Sequence, residues 1–451
     1  MMRIRLIATA AVLAAVVPLA AVPAAAAPAP PLGTWLLPVP PGGPEPLSAP
    51  QASEADELPA PSQCRQEQGA PCYTTDLVAR AYGMDTAHRL GMDGEGATIA
   101  IVLPHIAPDA PDDLAEFSRA MGLPEPDLTV VQAPGKVREI DPDDPQQAAI
   151  AAEQSMNLQA AHAMAPRAEL LLVQTPLGEG WGWAGAMDGI FDGMAWAARH
   201  YPVDVIPMSH GIAEGEFAER DGDYTRIHRL RAGLQAVAEH DVTMLAATGN
   251  IGPAGFSADG GLLPDQQVIW PASDPLVTAV GGTDLDLDDG GRRLSPDRVW
   301  QAEPNGPIEM ATGGGLSRVF DRPDYQNPVA DVAGDKRALP DVAAVAGGHS
   351  RVWFVIGGHW RATAGTSVAT PLMGGIVAAA AAEAGNPLGT INPALYGRGP
   401  ARTLGLYDLK DGTNAANGFE GYRARRGYDA ASGQGTPVHG ALLVTRLALA
   451  A

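Results

Sequence analysis

Cysteine is nearly absent: 451 residues carry two, Cys64 and Cys72. With seven residues between them, Gly69 and Pro71 included, they make neither a zinc nor a redox motif. Basic residues are also scarce. Thirty Lys and Arg stand against 52 Asp and Glu, for a net charge of −22. That balance excludes a nucleic-acid binder built on a basic face. It suits a soluble exported protein, or one working where carboxylates are partly protonated. Beyond the N-terminus no stretch reads as long and apolar enough to span a bilayer, and there is no internal repeat.

What is present begins with an export signature. Arg3 and Arg5 precede the apolar run Leu6 to Ala21, and Ala24 to Ala27 supply small residues for cleavage. Residues 1–27 are thus expected to be a signal peptide and the protein to be secreted to the extracellular space. Without the signal no membrane association is expected. In that compartment Cys64 and Cys72 are expected to close one small disulfide loop. Residues 28–62, rich in Pro, Ala and acids, read as a linker. Residues 63–451 read as one large domain, long enough for a sizeable core.

Within that domain apolar strands alternate with helices. Ala97 to Leu103 is a continuous apolar strand of the parallel-sheet type. Further strands are expected at 128–132, 169–174, 203–208, 242–247, 276–280 and 352–356. Helices are expected at 145–165, 183–201, 224–239 and after Ser367. The pattern predicts an α/β fold: a doubly wound, mostly parallel sheet flanked by helices. Residues 251–345 are richer in loops.

Chemistry concentrates around Gly365-Thr366-Ser367, which precedes a run of Ala, Gly and aliphatic residues from Leu372 to Ala384. Such a run reads as a helix buried on all sides. Ser367 at its start is either a cap or a nucleophile set near free N–H groups. Pro371 is expected in the first helical turn. Glu153 and Asn157 lie four apart and share a helix face, solvated or catalytic. Asn250 ends a buried strand in Gly-Asn, either as a turn residue or as an oxyanion donor. Met208-Ser209-His210-Gly211 ends the preceding strand, and Gly313, Gly314 and Gly315 form a run that permits close backbone approach.

In order, Cys72 to Thr74, Glu153 to Pro166, Ala247 to Asn250, Trp270 to Thr283, Gly313 to Phe320, Pro340 to Val342, Gly365 to Pro371, Ile391 to Tyr396 and Gly427 to Asp429 resemble the sedolisin family. These are serine-carboxyl peptidases with a subtilisin-like fold, and the resemblance covers about residues 63–446. It implies that Ser367 is the nucleophile, Glu153 its general base, Asn157 the partner of that base and Asn250 the oxyanion donor. Ser209, His210 and Gly211, with Gly313, Gly314 and Gly315, would hold the substrate backbone. Asp408 and Asp429 side chains with carbonyls of Leu409, Arg425 and Gly427 would bind calcium. The substrate would be a peptide or protein, cleaved internally, and the protein a monomer.

The chain departs from the family at two acids. Asn157 and Asn250 stand where the family has Asp. An amide at 250 donates at any pH. At 157 it can only donate to Glu153, which favours the ionised Glu and weakens it as a base. Two outcomes are open: cleavage at less acidic pH, or a catalytically weak or inactive homologue that keeps its cleft to bind peptides. Arg425 replaces a usual Gly at the calcium loop. A subtilisin-type triad looks absent, because Leu103 and Pro104 stand where its Asp would be. His105 and His162 are the nearby replacement bases. The 35 residues between signal and body leave no room for the family's large prodomain. A different secreted α/β hydrolase would need a Gly-x-Ser-x-Gly elbow, which the chain lacks.

Overall fold

The apolar run near residue 100 forms the strand Thr98–Pro104, buried along its whole length. It lies inside an eight-stranded sheet. Parallel strands run in the spatial order Leu128–Gln132, Glu169–Thr175, Thr98–Pro104, Val205–Met208, Thr243–Ala247, Val277–Asp284 and Val342–Val345. Arg298–Val299 adds antiparallel to the end of Val277–Asp284. The computed structural model describes residues 51–52, 58–177, 183–219, 222–257, 260–397 and 404–450. The expected signal peptide, 1–27, and most of the expected linker lie outside these residues.

From Thr98–Pro104 the chain builds first toward one edge, then returns and builds toward the other. The reversal falls between Thr98–Pro104 and Val205–Met208, where an open α/β sheet leaves a crevice beyond its strand ends. Ser209 emerges there. Helices cover both faces, which is why the central strands are apolar throughout rather than alternating. Ile99, Ile101 and Leu103 pack with the helices Pro145–Met164 and Thr366–Ala384. Ala100 and Val102 pack on the opposite side with Trp183–His200 and Thr225–Ala238.

The composition of Thr366–Ala384 has a steric cause. A Cβ on Gly375 would sit 2.6 Å from the carbonyl oxygen of Ala161, and one on Gly374 would sit 3.2 Å from Pro207. Small residues let this helix approach both the sheet and the helix carrying Glu153. Against expectation, Thr366–Ala384 is long and apolar enough to cross a bilayer by length and composition alone; 83% of its apolar window is buried inside the protein. It is a core helix.

Three further differences from the sequence reading have local causes. Pro371 lies inside the helix, not in its first turn, because the helix already begins at Thr366. The linker reading of 28–62 runs too far. Gln51–Ala52 pairs as an edge strand with Arg361 and Trp360, and a helix begins at Pro61. A two-residue strand has no periodicity to read. The loop-rich region also contains the paired strands Gly315–Asp321 and Lys336–Leu339. Cys64 and Cys72 are bonded to each other, with Cα atoms 5.8 Å apart.

Candidate active site

Ser367 is the second residue of its helix, and Gly365 before it has φ 135°, a conformation that favours glycine. Like every residue at a helix start, Ser367 has an amide with no partner in its own helix. The side chains of Glu153, Asn157, Ser209, Asn250 and Ser367 are all buried. The fold thus gathers four segments, from two strand ends and two helices, around one hydroxyl.

Asn250 follows the strand Thr243–Ala247. Its Oδ1 accepts from the Thr366 amide at 2.8 Å and from the Thr366 hydroxyl at 2.8 Å. The Thr366 hydroxyl in turn accepts from the Gly249 amide at 3.2 Å. These donors fix which end of the Asn250 amide is oxygen, so Nδ2 is the end presented away from Thr366. An amide nitrogen is a hydrogen-bond donor of the kind that can serve an oxyanion. Thr366 was not singled out from the sequence, where it reads only as part of Gly-Thr-Ser.

Pro371 explains a second contact. A residue with an N–H at 371 would bond the carbonyl of Ser367, four residues earlier. Proline cannot. That carbonyl instead faces the Ser209 hydroxyl at 3.0 Å, and the same hydroxyl lies 2.9 Å from Asn157 Oδ1. One hydroxyl proton serves these two acceptors. Because Oδ1 of Asn157 faces Ser209, its Nδ2 is turned to the other side, and Asn157 acts on the Glu153 carboxyl as a donor.

Burial pushes the Glu153 pKa up to about 8, against the opposing pull of the Ser367 and Asn157 side chains beside it. Burial therefore outweighs the amide that the sequence reading expected to weaken this base. Neither Ser367 Oγ nor Glu153 Oε2 is in a hydrogen bond of ordinary geometry, and such contacts often tighten only with substrate bound. No hydrogen bond links His105 or His162 to Ser367; His162 Nε2 is 3.1 Å from the Pro124 carbonyl.

The expected substrate-binding residues divide. Ser209, His210 and Gly211 follow the strand Val205–Met208 and lie outside every strand ladder. The His210 ring is buried with neither nitrogen hydrogen-bonded, and burial pushes its pKa down to about 4. It stays neutral at ordinary pH. Gly313 departs from expectation. Its amide donates to the Gly249 carbonyl at 2.8 Å, and its own carbonyl accepts from Thr248 Oγ1 at 3.1 Å. A Cβ there would fall 1.9 Å from the Thr248 carbonyl oxygen. Gly313 braces the strand end that carries Asn250, and Gly315 pairs with Leu339.

The expected calcium ligands meet at one loop. Asp408 Oδ2 accepts from the Gly427 amide at 2.9 Å, and Asp429 Oδ2 from the Arg425 amide at 3.0 Å. Asp429 Oδ1 accepts from the Ala431 and Ser432 amides. The Arg425 guanidinium pairs with Asp331 at 3.0 Å. Two carboxylates and nearby carbonyls are hard oxygen donors, the kind calcium takes. Among the described residues no group of three or more His, Cys, Asp or Glu side chains could hold a metal, so backbone oxygens would have to complete the set.

A second buried acidic pair sets a stability expectation. Burial and mutual repulsion raise Asp284 to about 7, and burial raises Glu303 to about 7. In the folded protein these groups and Glu153 hold protons that the unfolded chain has already lost, so their stabilisation disappears as pH rises through 7 to 8. His210 acts in the opposite sense, but its effect is complete by about pH 6.5. Stability should therefore fall by about 2–4 kcal/mol between pH 6.5 and 8.5. Thermal melts across that range check it; a midpoint that rises with pH would contradict it.

The Subtilase family matches residues 146–394, more than half of the chain. Kumamolisin from a Bacillus species is 31% identical over 389 residues, covering 83% of this chain and 64% of its own length. Human tripeptidyl-peptidase 1 is 31% identical over 265 residues, covering 54% of this chain and 44% of its own. The chain thus spans less than two thirds of these relatives. The solved structure of Pseudomonas sedolisin, a serine-carboxyl proteinase complexed with two molecules of pseudo-iodotyrostatin, superposes with TM-score 0.70 at 25% identity. It covers 84% of this chain and 98% of its own. The chain therefore belongs to the subtilase family, in its sedolisin branch, with a subtilisin-like fold.

Proposed function

We propose that the protein is a secreted serine endopeptidase. Ser367 Oγ attacks the carbonyl carbon of a peptide bond while its proton passes to Glu153. The Ser367 amide and the Asn250 side chain donate to the oxyanion that forms. Glu153 then gives the proton to the departing amine nitrogen, leaving an acyl ester on Ser367. Water attacks that ester by the reverse route, with Glu153 again as base. The observation that carries this reading is the Glu153 carboxyl, buried beside Ser367 at a helix start and opposite an oriented amide. Asp408, Asp429 and neighbouring carbonyls would hold a structural calcium ion.

The lack of an ordinary hydrogen bond at Ser367 Oγ and Glu153 Oε2 favours a second reading, a weak or inactive homologue that binds peptides. Labelling with a fluorophosphonate at pH 9 separates the two. The endopeptidase labels at Ser367, and Ser367→Ala abolishes labelling. Peptide binding without labelling by folded wild type would favour the second. For calcium, chelation should lower the melting midpoint by several degrees, restored by added Ca²⁺. An unchanged midpoint would remove the ion from the account.

A further inference from the structure

Three residues beyond Gly211 the chain buries a carboxylate that the mechanism does not use. Glu214 begins the short helical turn Glu214–Phe217 and is fully buried. Its Oε1 accepts from the Ser317 hydroxyl at 2.6 Å and its Oε2 from the Arg318 amide at 2.7 Å. Ser317 Oγ is itself the acceptor for the Val319 and Phe320 amides, at 3.1 and 2.8 Å. The hydroxyl proton is therefore committed to Glu214. The Glu214 amide donates to the Val268 carbonyl at 2.9 Å, beside the pairing of Ile212–Ala213 with Ile269–Trp270. The Arg318 guanidinium turns elsewhere, to Asp265 and the Gln266 carbonyl. Both carboxyl oxygens thus face donors, and among the described residues no cation pairs with the group. A buried acid with two inward donors is a tie between chain segments.

What it ties is specific. Ser209 to Gly211 lead through Ile212–Ala213 into Glu214, and Ser317 lies two residues beyond Gly315. We propose that Glu214 is a positioning residue for extended substrate, clamping the 209–213 segment to the strand Gly315–Asp321 so that its backbone keeps its register beside Ser367. This rests on the peptidase reading and on the assignment of Ser209 to Gly211 as the substrate wall. Glu214 touches no reacting atom. Its loss should weaken the grip on a long peptide and leave the chemistry at Ser367 intact.

Glu214→Gln tests the point with little change of volume. An amide accepts with one end only, so its NH₂ group must face either the Ser317 hydroxyl or the Arg318 N–H, and one link fails. The readouts are KM and kcat for an octapeptide, the same constants for its tripeptide p-nitroanilide core, fluorophosphonate labelling and the melting midpoint. The expected result is a KM about tenfold or more higher for the octapeptide, with kcat, labelling and the short substrate within about twofold. Ser317→Ala, which removes one link, should give the same pattern more weakly. Equal losses on both substrates and in labelling would make Glu214 merely structural and overturn the proposal. Unchanged constants would overturn it too. Wild type that neither labels nor cleaves would remove the peptidase reading, and this inference with it.

Discussion

Peptide cleavage should rise about ninetyfold between pH 6 and pH 9, with a midpoint near 8. Glu153 must be ionised to take the Ser367 proton, and burial holds its pKa up to about 8. At pH 6 roughly a hundredth of the molecules carry the working base; at pH 9 most do. Asn157 relieves this only in part, because an amide can donate a hydrogen bond to the carboxylate but cannot share a proton with it. Asn157→Asp changes that. Ser209 donates to Oδ1 of Asn157, an oxygen that an Asp retains. The other carboxyl oxygen would face Glu153, and two carboxyls in contact share one proton, so the singly ionised pair forms at lower pH. The rise should move toward acid by at least about one unit, with more activity at pH 5. A rate profile on a fixed peptide from pH 4 to 10 reads both proteins. A wild-type rise complete below pH 6, or a variant profile that does not move, would refute the account.

Removing the oxyanion donor should be nearly as severe. Asn250→Ala is expected to lower kcat by about 10²–10³ with KM little changed, the usual effect of losing one such donor. Thr366→Val keeps the backbone donor to Asn250 but loses the hydroxyl that donates to Oδ1 and accepts from the Gly249 amide. Its kcat should fall by about tenfold, and Thr366→Ser should restore most of it. Asn250→Asp adds a pH signature. An ionised Asp has no hydrogen to donate, so activity should survive only where that carboxyl is protonated. A Thr366→Val enzyme with unchanged kcat would show that the hydroxyl does not orient the amide.

Much of this architecture is legible in the chain because the physics is local. The run at residues 97–103 reads as a buried strand because helices cover both faces, leaving no polar side to interrupt it. Glu153 and Asn157 read as one face because four residues make about one helical turn. The Ala and Gly content before residue 384 reads as a buried helix because close contact with Ala161 and Pro207 permits little else. The missing parts depend on partners far away in sequence. Thr366 meets Asn250 across 116 residues and Ser209 meets Asn157 across 52. Residue type says that a hydroxyl can bond but not where it points. Pro371 could be read as a helix-start residue; its position inside the helix, and the carbonyl it leaves for Ser209, need the fold. Gly313 was legible as a close approach but not as the brace of the Asn250 strand end. Gln51–Ala52 pairs with a hairpin some 300 residues later, and nothing in a Pro-rich stretch announces that.

The central claim is that Ser367 cleaves peptide bonds with Glu153 as its base. Its most direct test is a mixed peptide library incubated with purified mature protein across pH 3 to 9, calcium supplied, beside Ser367→Ala. The account predicts cleavage that grows toward the alkaline end and vanishes in the variant. Equal cleavage by Ser367→Ala, or none by folded wild type at any pH, would contradict it.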